Sequence, residues 1–493
     1  MIDYRSSGIL LAVSSLPGPY GIGSMGASAR KFVDFLAKAG QHYWQILPLV
    51  PPGDGASPYM SPSAFAGNPY LIDLDELAKD GLLTKYELEG AKWGDPDHVD
   101  YSFLARTRMP LLRLAWQRSL LKADPDTKGT TLTNETSEVE EAEIPDLPWL
   151  EDYAHFAALH DRYQVPFQEW PENPSPPTQE EMDFHVFLQR TFYRQWFALK
   201  KYANKNGVRI MGDIPFYLSP DSVEVWKHPE LFQLDKKGHL ACVAGVPPDA
   251  FSEDGQLWGN PLYDWKKHKK EVFSFWEERM SWCAKLFDAV RIDHFRAFHT
   301  YWSIPVDAKS AKNGRWEKGP GMPLLKALRA ALPDLELIAE DLGDLDADCL
   351  KFVRNCGIPG MKIMVFAFDP KAESAYLPHN CQQNSVVYSG THDTPTFVQW
   401  LNEGDKDSTA YAVRYLRLRE DEGLGWGVIA GAWSTASYLA IAPMQDVLGL
   451  GADARMNAPG TTGPQNWSWR VREDAFNDFV SGKLLELTRI YRR

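Results

Sequence analysis

Apolar residues along this chain gather into short runs, each ended by polar or small residues. Eight such runs read as buried strands: residues 8–15, 43–49, 209–215, 289–295, 335–342, 360–366, 385–393 and 438–445. Between most of them lies at least one stretch of helical pattern, such as residues 27–39, 265–286, 323–332 and 394–421. Strand, helix, strand repeated eight times is the pattern of an α/β fold of the (β/α)8 TIM-barrel type. Residues 1–493 are therefore read as one catalytic barrel.

The spacing of the runs is uneven. Residues 51–207, between the second and third runs, form a mainly helical insertion, with helical pattern at 103–123, 150–163 and 179–203. Within it, residues 124–146 are polar, acidic and poor in aromatics, which predicts an exposed loop. The glycosylation triplet Asn134-Glu135-Thr136 in that loop means nothing without secretion. Residues 216–264 form a second insertion, after run three. It holds a loop rich in Pro, Gly and Asp, VPPDAFSEDGQLWGNPL, with Trp258 inside. A third long loop, residues 451–469, follows the last run. Barrel enzymes build and roof their sites with loops at these strand ends.

Charge enters the apolar runs mainly at their C-terminal ends. Run three ends near Asp213, run four in Arg291-Ile292-Asp293-His294, run five in Glu340-Asp341 and run seven in His392-Asp393. Four carboxylate-bearing strand ends on one rim would be an uncompensated negative cluster unless they perform chemistry. Metal-dependent hydrolysis is a poor fit, because the first run supplies no ligand and each histidine sits beside an aspartate on its own strand end. Glycoside cleavage needs one nucleophilic and one protonated carboxyl, and the set supplies both with a third to spare. The glycine pattern Gly21-Ile22-Gly23-Ser24-Met25-Gly26 is read as a loop entering a helix. No acidic residue ends the following strand, as a dinucleotide site requires.

Composition narrows the partners. A net charge of −14 argues against a broad nucleic-acid or anionic-membrane surface. Five cysteines, odd in number and without a CxxC pair, fit reduced thiols. With no basic leader and no run of membrane length, the expected location is cytoplasmic. Most of the 18 Trp, 20 Tyr and 24 Phe are expected in the core, and such a supply also suits stacking on sugar faces.

The segments GDIPFYLSPDS (212–222), RIDHF (291–295), AEDLG (339–343) and THD (391–393) resemble the signature regions of the α-amylase clan. LPGPYGIGSMG, YWQILPL, SPYMSPSAFAGNPYLI, GVPPDAFSEDGQLWGNPLYDW and RMNAPGTTGPQNWSWR narrow the resemblance to the 4-α-glucanotransferases, in order from about residue 8 to 475. The resemblance implies that Asp293 is the nucleophile, Glu340 the general acid and base, and Asp393 the transition-state stabiliser. It also implies substrate contacts from Ser57, Tyr59, Asp213, Asp249, Gln256, Trp258, His294, His392 and Asn466. Arg291 shares a strand face with Asp293 and is expected to keep it ionised; Asp341 is expected to raise the pKa of Glu340. No metal or other cofactor is expected, and the partners are maltooligosaccharides and α-1,4-glucans. A retaining α-glucan hydrolase is the alternative reading, and a non-catalytic glucan-binding protein a distant one. The oligomeric state is left open between a monomer and a weak dimer.

Overall fold

The computed structural model describes residues 5–123, 143–236, 238–248, 253–343 and 345–493. In chain order its strands are β1 (Ser6–Leu10), β2 (Tyr43–Gln45), β3 (Arg209–Ile214), β4 (Cys242–Val246), β5 (Gln256–Pro261) and β6 (Ala289–Ile292), followed by β7 (Thr300–Pro305), β8 (Arg315–Lys318), β9 (Glu336–Ala339), β10 (Gly360–Ile363), β11 (Ser385–Tyr388) and β12 (Leu439–Pro443). Eight of these close a parallel barrel in the order β1-β12-β11-β10-β9-β6-β3-β2. They are the eight runs read from the sequence. Strands such as β6, β11 and β12 are buried along their whole length, which is why they appear as unbroken apolar runs.

The helices differ from expectation mainly at their ends. Residues 394–421 divide into Phe397–Glu403 and Lys406–Leu416. Each start has its own cap: Thr396 Oγ1 accepts from the Gln399 N–H at 3.1 Å, and Asp405 Oδ2 from the Ser408 N–H at 2.9 Å. The stretch between β2 and β3 carries helices Tyr101–Ala123, Leu150–Tyr163 and Gln179–Lys205. The last buries Phe192, Trp196 and Leu199 against the main core. Most of the acidic stretch 124–146 lies outside the described residues.

The sequence did not reveal a second sheet. Strands β5-β4-β7-β8 pair antiparallel, and Gln256 and Trp258, assigned above to a loop, stand on β5. These strands arise from the connections that leave the C-terminal ends of β3 and β6, so the sheet belongs to the rim on which the charges lie.

The barrel closes tightly at Gly8, whose partner across the β1–β2 pair is Tyr43. A Cβ there would stand 2.4 Å from the Tyr43 carbonyl oxygen and 2.6 Å from its Cβ. Gly8→Ala should therefore destabilise the fold by about 1–3 kcal/mol, seen as a lower urea midpoint. An unchanged midpoint would show that β1 and β2 can part without cost.

Candidate active site

The centre of the site is Arg291, on β6. Its Nη1 donates to both carboxylate oxygens of Asp213 at 2.7 Å, and its Nη2 stands 2.9 Å from Asp293 Oδ1. Asp213 and Arg291 are register partners across β3 and β6, so the sheet itself sets this pair. The side chain of Asp213 is fully buried and that of Arg291 is 4% exposed, whereas Asp293 is 29% exposed. One guanidinium thus neutralises a carboxylate inside the wall and another that opens on the cleft. Removing either partner would strand a buried charge.

Glu340 follows β9 and is gripped by backbone. The Leu342 N–H donates to Oε1 at 2.9 Å and the His294 N–H to Oε2 at 2.7 Å. To present that N–H, His294 adopts a left-handed conformation, φ 49° and ψ 47°, which a histidine tolerates better than most side chains. Burial pushes the Glu340 carboxyl up to about 8, reinforced by the charge of Asp293 and opposed by Arg291. The expected direction holds, but the cause differs: Asp341 contributes less than any of these. Asp341 does not reach the cleft either. Its Oδ1 accepts from the Met361 N–H at 2.7 Å, and Lys362 Nζ lies 3.9 Å from Oδ2. Neighbours on an extended chain face opposite ways, so Asp341 fastens β10 while Glu340 faces the Asp293 side.

Asp393 receives the Asn457 side-chain amide on Oδ1 at 2.6 Å, and His392 Nε2 lies 3.2 Å from Oδ2. Burial alone would raise its pKa, but His392, Asn457 and Arg291 outweigh it and hold the carboxyl at about 2. His392 shifts upward in return: burial lowers it, and the charge and hydrogen bond of Asp393 more than compensate. His294, by contrast, is pushed by burial down to about 4 and stays neutral. His294 Nε2 and His392 Nδ1 are buried with no hydrogen-bond partner among the described residues.

Aromatic groups complete the cleft. Tyr59 donates its hydroxyl to Asp213 Oδ2 at 3.1 Å and lies 3.0 Å from His392 Nε2. Its ring stacks on His392, centroids 5.3 Å apart, and tilts against Trp467 at 5.5 Å. Ser57 stands behind it: its Oγ accepts from the Tyr59 N–H at 3.2 Å and so shapes the turn that delivers the ring. Trp258 stands edge-on to His294 at 4.8 Å, and its indole N–H donates to Gln256 Oε1 at 3.0 Å. Asp249 lies outside the described residues.

Asn466 does not reach in. Its Oδ1 accepts from the Ala458 N–H at 3.2 Å and its amide donates to the Thr461 carbonyl at 3.0 Å, bracing the loop after β12 from within. The asparagine of that loop that touches a carboxylate is Asn457, which sequence reasoning missed. The segment RMNAPGTTGPQNWSWR contains both, and nothing in its pattern ranks one above the other. Among the described residues, no cluster of His, Cys, Asp and Glu is arranged to hold a metal ion. The site offers one carboxyl beside a guanidinium, one holding its proton at neutral pH, and one firmly ionised. That division suits a displacement at a carbon that develops positive charge.

The model of the 4-alpha-glucanotransferase family matches residues 11–475. A 4-alpha-glucanotransferase of Clostridium butyricum is 44% identical over 98% of this chain and 99% of its own length. A chloroplastic/amyloplastic 4-alpha-glucanotransferase of Solanum tuberosum is 42% identical over 98% of this chain and 85% of its own. Among solved structures, an amylomaltase from Streptococcus agalactiae in complex with acarbose superposes with a TM-score of 0.89 at 38% identity, covering 99% of each chain.

Asn457→Ala removes one of the groups that keep Asp393 ionised and in place. It should lower kcat on a maltooligosaccharide about tenfold, or about 1.4 kcal/mol. Asn457→Asp sets a second negative charge against Asp393 and should cost more than the alanine; the reverse order would mean the amide does not act on that carboxylate.

Proposed function

Because the chain belongs to the 4-alpha-glucanotransferase family, we propose that Asp293, Glu340 and Asp393 carry out its glucan transfer by a retaining double displacement. The protein is an enzyme acting on α-1,4-glucans. In the first step Asp293 attacks the anomeric carbon of the donor while Glu340 gives its proton to the departing glycosidic oxygen. The bond to the leaving chain breaks and a glycosyl ester forms on Asp293. In the second step Glu340, now a carboxylate, takes the proton of an acceptor 4-OH. That oxygen attacks the same carbon and releases Asp293. Asp393 stabilises the positive ring between them.

One observation carries the reading: Glu340, raised to about 8, stands within the field of Asp293 in a site where Asp393 is held at about 2. A structural carboxylate cluster has no need of that separation. The unpartnered His294 Nε2 and His392 Nδ1 are suited to hydroxyls of the sugar at the cleavage point, with Tyr59 as the platform beneath its ring. Asp213, Gln256 and Trp258 shape and cover the same subsite. Maltooligosaccharides and longer α-1,4-glucans are the substrates.

Transfer instead of hydrolysis requires an acceptor sugar to beat water at about 55 M, which means a roofed site. Trp258 over His294 and Trp467 beside Tyr59 are suited to that exclusion. No helix among the described residues is long and apolar enough to cross a membrane, and a cytoplasmic location remains part of the proposal.

Incubation with maltotriose should give glucose and a ladder of longer oligosaccharides with no net gain in reducing ends. Shorter products with rising reducing ends would make the protein a hydrolase. Asp293→Asn should abolish turnover and keep glucan affinity; full turnover in that variant would remove Asp293 as nucleophile. The pH profile follows from the acid. Glu340 must carry its proton for the first step, so kcat/KM should fall as pH rises through about 8. A profile that stays flat to pH 10 would exclude Glu340 as the acid.

A further inference from the structure

Beneath the rim lies a buried carboxylate that this chemistry does not use. Asp446 belongs to the short helix Met444–Val447 that follows β12, and it is 1% exposed. Its Oδ2 accepts from Ser389 Oγ at 2.6 Å, and its Oδ1 accepts from the Phe397 N–H at 2.8 Å. Ser389 is the residue just past β11, and Phe397 opens the helix Phe397–Glu403. The segment between these two contacts, residues 390–396, carries His392 and Asp393, with Asp393 midway.

We propose that Asp446 is a positioning residue for glucan transfer, pinning both ends of segment 390–396 and thereby setting where the Asp393 carboxylate stands. This rests on the reading of Asp393 given above. The register of β11 with both neighbouring strands ends at Tyr388, so the barrel ladder itself does not extend to the segment. Inside the segment the bracing is light: Thr394 Oγ1 accepts from the Thr391 N–H at 2.9 Å, and the Asp393 N–H reaches Thr391 Oγ1 at 3.3 Å. Asp446 closes it from below, while Asn457 and Arg455, whose Nη2 donates to the Asp393 carbonyl at 3.1 Å, hold it from above.

The space around Asp446 is cut to fit. A Cβ on Gly390 would lie 3.4 Å from its Oδ2 and 2.8 Å from Thr394 Oγ1, and one on Gly425 would lie 2.2 Å from its carbonyl oxygen. An asparagine could keep the same two partners without a buried charge, its oxygen accepting from the Phe397 N–H and its amide donating to Ser389 Oγ. A carboxylate costs desolvation and gives shorter, stronger bonds in return. Burial pushes its carboxyl up to about 6 against those two hydrogen bonds, so it is ionised at neutral pH.

Kinetics on maltotriose with Asp446→Ala, Asp446→Asn and Ser389→Ala decide the matter, alongside thermal unfolding of each variant. Asp446→Ala should lower kcat about tenfold with KM changed less than about threefold, Ser389→Ala should lower kcat about threefold, and Asp446→Asn should recover most of the loss. Coupling supplies the second readout. On Asp393→Asn, assayed by fluoride release from an α-glucosyl fluoride donor, adding Asp446→Ala should cost less than about twofold, because the charge being positioned is gone. Wild-type kcat in Asp446→Ala, or a full tenfold loss repeated on Asp393→Asn, overturns the proposal. If Asp446→Ala does not fold, wild-type kcat in Ser389→Ala overturns it. Unimpaired maltotriose turnover by Asp393→Asn itself would sink the reading of the site, a result obtained before Asp446 is touched.

Discussion

Everything at the rim of this barrel depends on one cation. Arg291 is buried, so it must be paired, and it is paired twice, with Asp213 inside the wall and with Asp293 at the cleft. Burial and charge together explain the rest. Arg291 pairs directly with Asp213 and Asp293, while His392, its pKa raised, stands against Asp393. A fourth carboxyl, Glu340, is buried in the same field, where Arg291 lowers its pKa and Asp293 raises it. Glu340 therefore holds its proton first because it is buried and then because Asp293 outweighs Arg291 in its field. Like carboxyls are made different by burial and by the allocation of one cation.

Backbone fixes what the charges then tune. The Asp293 N–H donates to the Ile214 carbonyl at 2.9 Å, the Glu340 N–H to Ile292 at 3.1 Å and the Phe295 N–H to the Glu340 carbonyl at 3.0 Å. With the His294 N–H on the Glu340 carboxyl, the end of β6 is stitched to the end of β9 on both sides of Asp293. The spacing of Asp293 and Glu340 is thus a property of strand ends, which are stiffer than any pair of side chains. The left-handed turn at His294 is the local cost of that stitching.

The barrel was legible because parallel strands covered on both faces must be apolar throughout, so a charge inside one is conspicuous. Arg291, Asp293, Glu340 and Asp393 stood out for that reason. Asp341 was misplaced although alternation along a strand was enough to turn it away from Glu340. The second sheet was hidden by different physics. β4 and β5 are short and partly exposed, their register shifts between Val243 and Gly245, and their partner β7 lies beyond a barrel strand, so no local pattern marks them. Asn457 and Asn466 are chemically identical residues of one loop, and only three dimensions separate a carboxylate contact from a loop brace. Asp446 reads as an ordinary turn-of-helix aspartate; its role depends on two partners, each about fifty residues away.

Two groups of loops govern the site, and they touch different halves of it. The connections after β3 and β6 bring Trp258 to His294. The connection after β12 holds Asp393 through Asn457 and Arg455, and stands Trp467 beside Tyr59. Arg291 belongs to neither; it is held by the barrel wall. The first group also reaches Glu340, because His294, in the connection after β6, gives its N–H to Glu340 Oε2. Changes in the last loop reach Asp393 directly. Wall and loops are thus joined at Glu340 and at Asp393, so a loop can be refitted without moving a carboxyl only where it touches neither.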